Sequence, residues 1–384
     1  MLFLYVLLLT INFIFVTGEI KHQPTLELVA VFDHQVTGVS VHPSSGRIFV
    51  NFPRWTEDSS VSVAEVFPRN IIKSFPSNSN WNSWRNTHKN ESDASKHFIC
   101  VQSVVVFQDS LYVLDPAAPA SGPIIKGGVK LVEIDLITNQ TKRTIFFDET
   151  IAPQGSYLND IRFSPDGKYA YITDSGVTGA IVIVDLKKEN ARRVLHGHPS
   201  TQVDKTVSVK YNGKPLRRSD GRGVEFSADG IALSIDGSIL YWQAIRGKTL
   251  YSIPTSYLQS LNSNEELSSH ITVIGENGPA DGLWISRKQS NLLYVSSIQD
   301  DSIKQRDLLT NTYETVLTDK RLRWPDTFSE DEQGYIYVTT SHIQDSAMFN
   351  EKASKQLRTE LWKFNPNVTT HVENVPLRQE KEIL

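Results

Sequence analysis

Apolar and polar positions along this chain fall into a short cassette that recurs six times. Each copy is an apolar strand, a polar turn, and a second strand rich in Val, Ile, Tyr and Phe. The copies are TGVSVHPSSGRIFV from Thr37, QSVVVFQDSLYV from Gln102, NDIRFSPDGKYAYI from Asn159, DGIALSIDGSILYW from Asp229, DGLWISRKQSNLLYV from Asp281 and PDTFSEDEQGYIYV from Pro325. Their starts lie 44 to 70 residues apart. Between them run further alternating stretches, GVKLVEIDLITNQTKRTIFF, GAIVIVDLKKENARRVL and SIKQRDLLTNTYETVL, in which a strand ends in Asp-Leu, turns and returns. Period-two alternation broken by turn residues is the hairpin pattern. Two hairpins per repeat predict an all-β chain, a six-bladed β-propeller with four-stranded blades. A pair of sandwich domains is the competing architecture, but sandwiches do not repeat one cassette six times.

The ends of the chain complement each other. The segment from Thr25 to Phe32 reads as a return strand with no hairpin partner, and Glu360–Phe364 reads as a third strand lacking its fourth. Pairing them closes the ring and removes an exposed sheet edge. Two polar stretches, 68–97 and 198–222, exceed ordinary turns and are expected over the channel mouth.

Composition changes this picture little. The chain has 384 residues, with 39 Lys+Arg against 43 Asp+Glu, and no basic run that would mark a nucleic-acid partner. Residues 1–18 are apolar and uncharged, which predicts a secretory signal cleaved near Gly18, although no Lys or Arg marks its start. An uncleaved anchor is the weaker reading, because the apolar stretch is short for a bilayer span. The mature protein, residues 19–384, is then one secreted propeller domain, periplasmic if bacterial, without stable membrane insertion. Cys100 is the sole cysteine and sits in the apolar run FICVQSVVVF, as a buried small hydrophobe does. Sequons begin at Asn90, Asn139 and Asn367 and would make a glycoprotein in a eukaryotic source.

Three motifs carry a family resemblance: Arg47-Ile-Phe-Val-Asn-Phe-Pro-Arg-Trp55, then Val101-Gln-Ser-Val104 with Leu111-Tyr-Val-Leu-Asp115, then Tyr157-Leu-Asn-Asp-Ile161 with Ala170-Tyr-Ile-Thr-Asp-Ser175. From about Val31 to Phe364 the chain resembles the yellow/major royal jelly protein family, with Phe-Pro-Arg-Trp the most specific piece. The resemblance implies a secreted six-bladed propeller. It implies several activities, since members include proteins linked to dopachrome conversion, small-amine binders and nutritional proteins. Insect members carry cysteines around the segment equivalent to Val101–Leu111; here Cys100 stands alone, which points to a non-insect branch. The fold also resembles lactonase-type propellers, which hold calcium or another divalent cation at the channel mouth.

In a propeller the first strand of each blade lines the channel, so cassette openings face its mouth. They are Thr37-Gly38, Gln102-Ser103, Asn159-Asp160, Asp229-Gly230, Asp281-Gly282 and Pro325-Asp326. Such pairs also begin strands simply because they favour turns. Read as a site, they suggest ligand contacts from Thr37, Gln102, Asn159 and Asp326, acid–base carboxylates at Asp160 and Asp281, and an aromatic wall of Trp284, Trp324 and Phe328. Trp242 is expected to pack between blades. That set suits a small aromatic ligand, a catechol, indole-quinone or amine, with no cofactor. In the alternative, Asn159, Asp229, Asp281 and Asp326 hold a divalent cation for lactone hydrolysis, although Thr37 stands where lactonase-type propellers place a Glu ligand. His196 and His198 lack a third ligand and read as a solvated turn. No nucleophile elbow, phosphate loop or zinc signature is present.

Overall fold

The computed structural model describes residues 23–77, 80–89, 93–260, 263–354 and 356–367. The apolar leader, the Asn90 sequon and the last two residues of the Asn367 sequon lie outside them. Six four-stranded antiparallel sheets surround a channel, as the cassette predicted. Their innermost strands are Val39–Val41, Ser103–Phe107, Leu158–Phe163, Ala228–Leu233, Ala280–Ile285 and Pro325–Glu330, for blades 1 to 6 in order. The core lies between blades; Val104, Val113 and Val132 of blade 2, for instance, pack with Phe49 and Val63 of blade 1.

Blade 6 is completed by the N-terminal strand Glu27–Phe32, which pairs antiparallel with Thr359–Phe364. Ala30 lies opposite Leu361 and Phe32 opposite Thr359, so the expected closure is present. The Asp-Leu endings also have a physical basis. Asp135, Asp185 and Asp307 each accept two backbone N–H groups of the following turn, at 2.7–3.1 Å. Leu136 and Leu186 bury their side chains, fixing where the return strand begins.

The excursions divide. In the first, Ile71–Ser74 is the outer strand of blade 1, and Trp81 and Trp84 pack inward rather than over the mouth. There Trp84 is fully buried beside Ile99 and Cys100, and Trp81 stacks on Phe98 with ring centroids 4.9 Å apart. The second excursion does cover the mouth. Its small ribbon, Lys210–Tyr211 with Lys214–Pro215, is latched to blades 5 and 6. The Tyr211 hydroxyl donates to Asp301 at 2.7 Å and accepts from Arg323 at 2.6 Å, while Arg323 grips Asp345 with two bonds.

The Asp-Gly pairs at cassette openings are not turns. Gly230 and Gly282 lie within inner strands, where neighbouring blades converge on the axis. A Cβ at Gly230 would stand 2.1 Å from the Asp281 carbonyl oxygen, and one at Gly282 would stand 1.9 Å from that of Asp326. Both obstacles are backbone, so relief requires moving a strand. Gly282→Ala is therefore expected to destabilise by about 1–3 kcal/mol or more, read as a lowered urea midpoint; an unchanged midpoint would show that the blades are not in close contact there.

Candidate site at the channel mouth

Each inner strand starts at the mouth and descends, so the strand openings form a floor and the connections between strands form the walls. A cavity of about 480 Å³ occupies this position. Gln102, Asn159, Asp229, Asp281 and Asp326 lie at its base, brought together as expected from five separate blades. Trp55, Tyr157 and Phe226 supply aromatic wall, with Ile245, Ile343 and Met348. Lys205, Arg218, Arg222 and Glu225 rim it from the second excursion and the segment that follows.

The floor is a connected polar set. The Asn159 amide donates to Asp229 at 2.6 Å and to the Ser175 hydroxyl at 2.9 Å. The Trp324 indole N–H donates to Asp281 at 2.7 Å. Gln102 accepts from the Tyr157 hydroxyl at 3.0 Å, and that hydroxyl also meets the Trp55 indole N–H. Asp229 and Asp281 share a hydrogen bond, which two carboxyls can do only while one keeps its proton.

Burial raises the pKa of all three floor carboxyls, because it penalises their charged forms. For Asp281 the result is about 7, moderated by the bonds from Trp324 and Asp229. Asp229 is pushed further, by burial first and then by the negative charges of Asp281, Asp326 and Asp160. Asp326 is likewise well above the ordinary carboxylate range, from burial and the neighbouring Asp281.

Five residues expected in the site lie elsewhere. Asp160 forms an ion pair with Arg162 at 2.8 Å and accepts from Ser103 at 2.8 Å, so it is not a free acid–base group. Arg162 in turn reaches the Leu283 carbonyl across the channel, below the cavity. Thr37 is fully buried, receives the Asn51 amide at 2.8 Å and does not line the cavity. Trp324 supports the floor from behind through Asp281. Phe328 packs in the blade 5–6 core. Trp284 lies three residues down its strand, roughly 10 Å from the opening, between Arg162 and Arg287 and bonded to Glu330. The actual aromatic wall comes from the connections: Trp55 from the Phe-Pro-Arg-Trp motif and Tyr157 from just ahead of blade 3.

The remaining expectations of packing hold. Trp242 is buried between blades with its indole N–H on the Ser200 carbonyl at 2.9 Å. His198 bonds to Ser200 and Ser268, and His196 to Arg193. Cys100 is buried and its thiol pushed up to about 12 by burial.

The quoted motifs owe their form to two buried carboxylates. Asp115 closes Leu111–Asp115 and accepts the backbone N–H groups of Ile99, Cys100 and Ala117 at 2.7–2.9 Å, with Lys130 at 3.1 Å. Asp174 does the same one blade on, taking Tyr157 N–H at 2.7 Å, Gly176 N–H at 2.8 Å and the Arg193 guanidinium at 2.5 Å. Both hold the segment that leads into the next inner strand, and so set the positions of Gln102 and Tyr157. Arg54 of Phe-Pro-Arg-Trp is fully buried and donates to the carbonyls of Ser59, Phe98 and Ile99.

Among solved structures, the chain is similar to a luciferin-regenerating enzyme, with 11% identity, TM-score 0.53, and 89% of this chain and 95% of that one covered. It is also similar to regucalcin, a calcium-binding protein from Agrobacterium tumefaciens, with 12% identity, TM-score 0.49, and coverage of 88% and 90%. At such identity the first likeness shows the fold alone. A search of curated protein sequences gives no match. The family model for Major royal jelly protein matches residues 102–374, from the blade 2 inner strand past Thr359–Phe364 of blade 6. With most of its length so matched, and with a six-bladed ring built as described, the chain belongs to the major royal jelly protein family.

Proposed function

We propose that this propeller holds a small aromatic molecule at the channel mouth, as a binder or as an isomerase of the dopachrome type. The observation that carries the reading is the 480 Å³ cavity, whose wall is Trp55, Tyr157 and Phe226 and whose floor is Asp229 and Asp281. Its size and mixed lining suit one small ring system. Aromatic faces hold the ring, and floor carboxyls hold or exchange a proton with its polar edge. Of the two candidate acid–base carboxylates, Asp281, with a pKa of about 7, takes the role, since Asp160 is paired with Arg162. Secretion behind the apolar leader belongs to the same proposal. Calorimetric titration with catechols and indoles, followed by a dopachrome decay assay, separates binder from enzyme; no heat with any of them would reject both forms.

A second reading, a lactonase-like hydrolase dependent on calcium or another divalent cation, has one observation in its favour. Asn159, Asp229, Asp281 and Asp326 reach a single cavity. Their surroundings fit a cation poorly. The N–H groups of Asn159 and Trp324 occupy carboxylate oxygens, and among the described residues no three His, Cys, Asp or Glu side chains are grouped as metal ligands. The aromatic-ligand reading expects elemental analysis to find no stoichiometric ion and calcium to leave the melting temperature unchanged; a bound ion with a calcium-dependent melting temperature would favour the hydrolase.

A further inference from the structure

The rim of the cavity carries a cation with no ion-pair contact among the described residues. Arg222 is neutralised by Asp220 at 2.6 Å, and Glu225 meets both Arg222 at 3.4 Å and Arg246 at 3.7 Å. Arg218 has no such partner: among the described residues no carboxylate lies within ion-pairing distance, and its Nε is buried without a hydrogen bond. Its guanidinium is held over the rings of Phe226 at 5.6 Å and Phe349 at 6.0 Å. Aromatic faces orient a guanidinium and attract it, but they leave its in-plane N–H fork unsatisfied. Lys205, exposed on the same rim, likewise has no carboxylate partner among the described residues.

With Nε closed off, it is the terminal N–H groups of Arg218, on the cavity rim, that a ligand's acceptor can reach. The acceptor that matches a guanidinium fork is a carboxylate or a similar planar anion. Trp55, Tyr157 and Phe226 line the same cavity as Arg218, so a ligand that also carries an apolar ring fills it best. We propose that the site selects aromatic acids: an aryl or indole ring whose carboxylate is taken by Arg218, with the opposite polar edge on Asp229 and Asp281. The inference rests on the aromatic-ligand reading and narrows it, since catechols, indole-quinones and amines are no longer equivalent. A cationic amine gains nothing at the rim. Floor carboxyls that retain their protons, burial being the main cause, offer an amine less countercharge than three Asp residues would imply.

The probes are indole-3-acetate, indole-3-acetamide and tryptamine, which share a ring and differ in charge. Calorimetry at pH 7 and low salt is expected to give the acid at least about tenfold tighter binding than the amide, with the amine weakest. In Arg218→Met the acid falls to the level of the amide, while the amide itself is unchanged. A melting curve checks that this variant is folded. Independently of any variant, raising salt from about 20 to about 500 mM weakens the acid and not the amide. Amide or amine binding as tight as the acid, or acid binding indifferent to both Arg218 and salt, overturns the inference and leaves the aromatic site standing. Silence from all three probes removes the site and the inference together.

Discussion

Asp281→Asn is expected to be more stable than the parent protein at pH 8 and to have lost proton-transfer chemistry. The Asn carbonyl can still accept from Trp324, and its amide can still face Asp229, so the substitution imitates the protonated side chain at every pH. In the parent, burial raises the Asp281 pKa from 3.8 to about 7. The unfolded chain therefore gives up this proton first as pH rises, and the folded state binds the extra proton between those values. Stability from this group is complete below pH 3.8 and is lost as pH climbs through 7, by an amount on the order of a few kcal/mol. Melting temperatures at pH 4, 6 and 8 should fall across that window in the parent and fall less in the variant. If the protein turns over dopachrome, the variant should bind it but turn it over about 10²- to 10⁴-fold more slowly. A variant less stable than the parent at pH 8 would overturn the account of the floor.

Asp115→Ala is expected to lose about 3–5 kcal/mol. Asp115 and Lys130 are both fully buried, and Asp115 also takes three backbone N–H groups. Removal leaves Lys130 as an isolated buried cation, whose pKa burial already lowers, and orphans the N–H groups of Ile99, Cys100 and Ala117. Asp115→Asn separates the two contributions, since it retains an acceptor oxygen while removing the charge. The loss should also reach the cavity, because Ile99 and Cys100 lead directly into Gln102. A denaturant midpoint within error of the parent would mean that the pair is dispensable.

The ring was legible because each blade repeats a period-two pattern bounded by turn residues, a signal carried by dozens of positions. The closing strand was legible for the same reason, through unmatched alternation at both ends. The carboxylate floor followed from the rule that inner strands begin at the mouth. The wall did not. Trp284 and Phe328 were assigned to it by closeness in sequence to Asp281 and Asp326, yet each residue along a strand descends about 3.3 Å and alternates its face. Aromatics two or three places on have therefore left the mouth, while Trp55, Tyr157 and Phe226 reach it from irregular connections, where no periodicity marks direction. Asp160 was misjudged because Arg162, two residues later, neutralises it. The Asp-Gly pairs looked like turns because the approach of the next blade, which excludes a side chain, involves residues more than forty positions away.

Ring closure by the N-terminal strand also has a consequence for how the protein is made. The Thr359 hydroxyl donates to the His34 carbonyl, 325 residues away in the chain, and the two segments pair along their length. During vectorial synthesis, Glu27–Phe32 emerges well before Thr359–Phe364 and must wait for it. Until then the nascent ring is an open arc with two unpaired edges, and a chain that stops short of Thr359 never leaves that state. Premature termination should thus yield aggregation rather than a smaller working propeller.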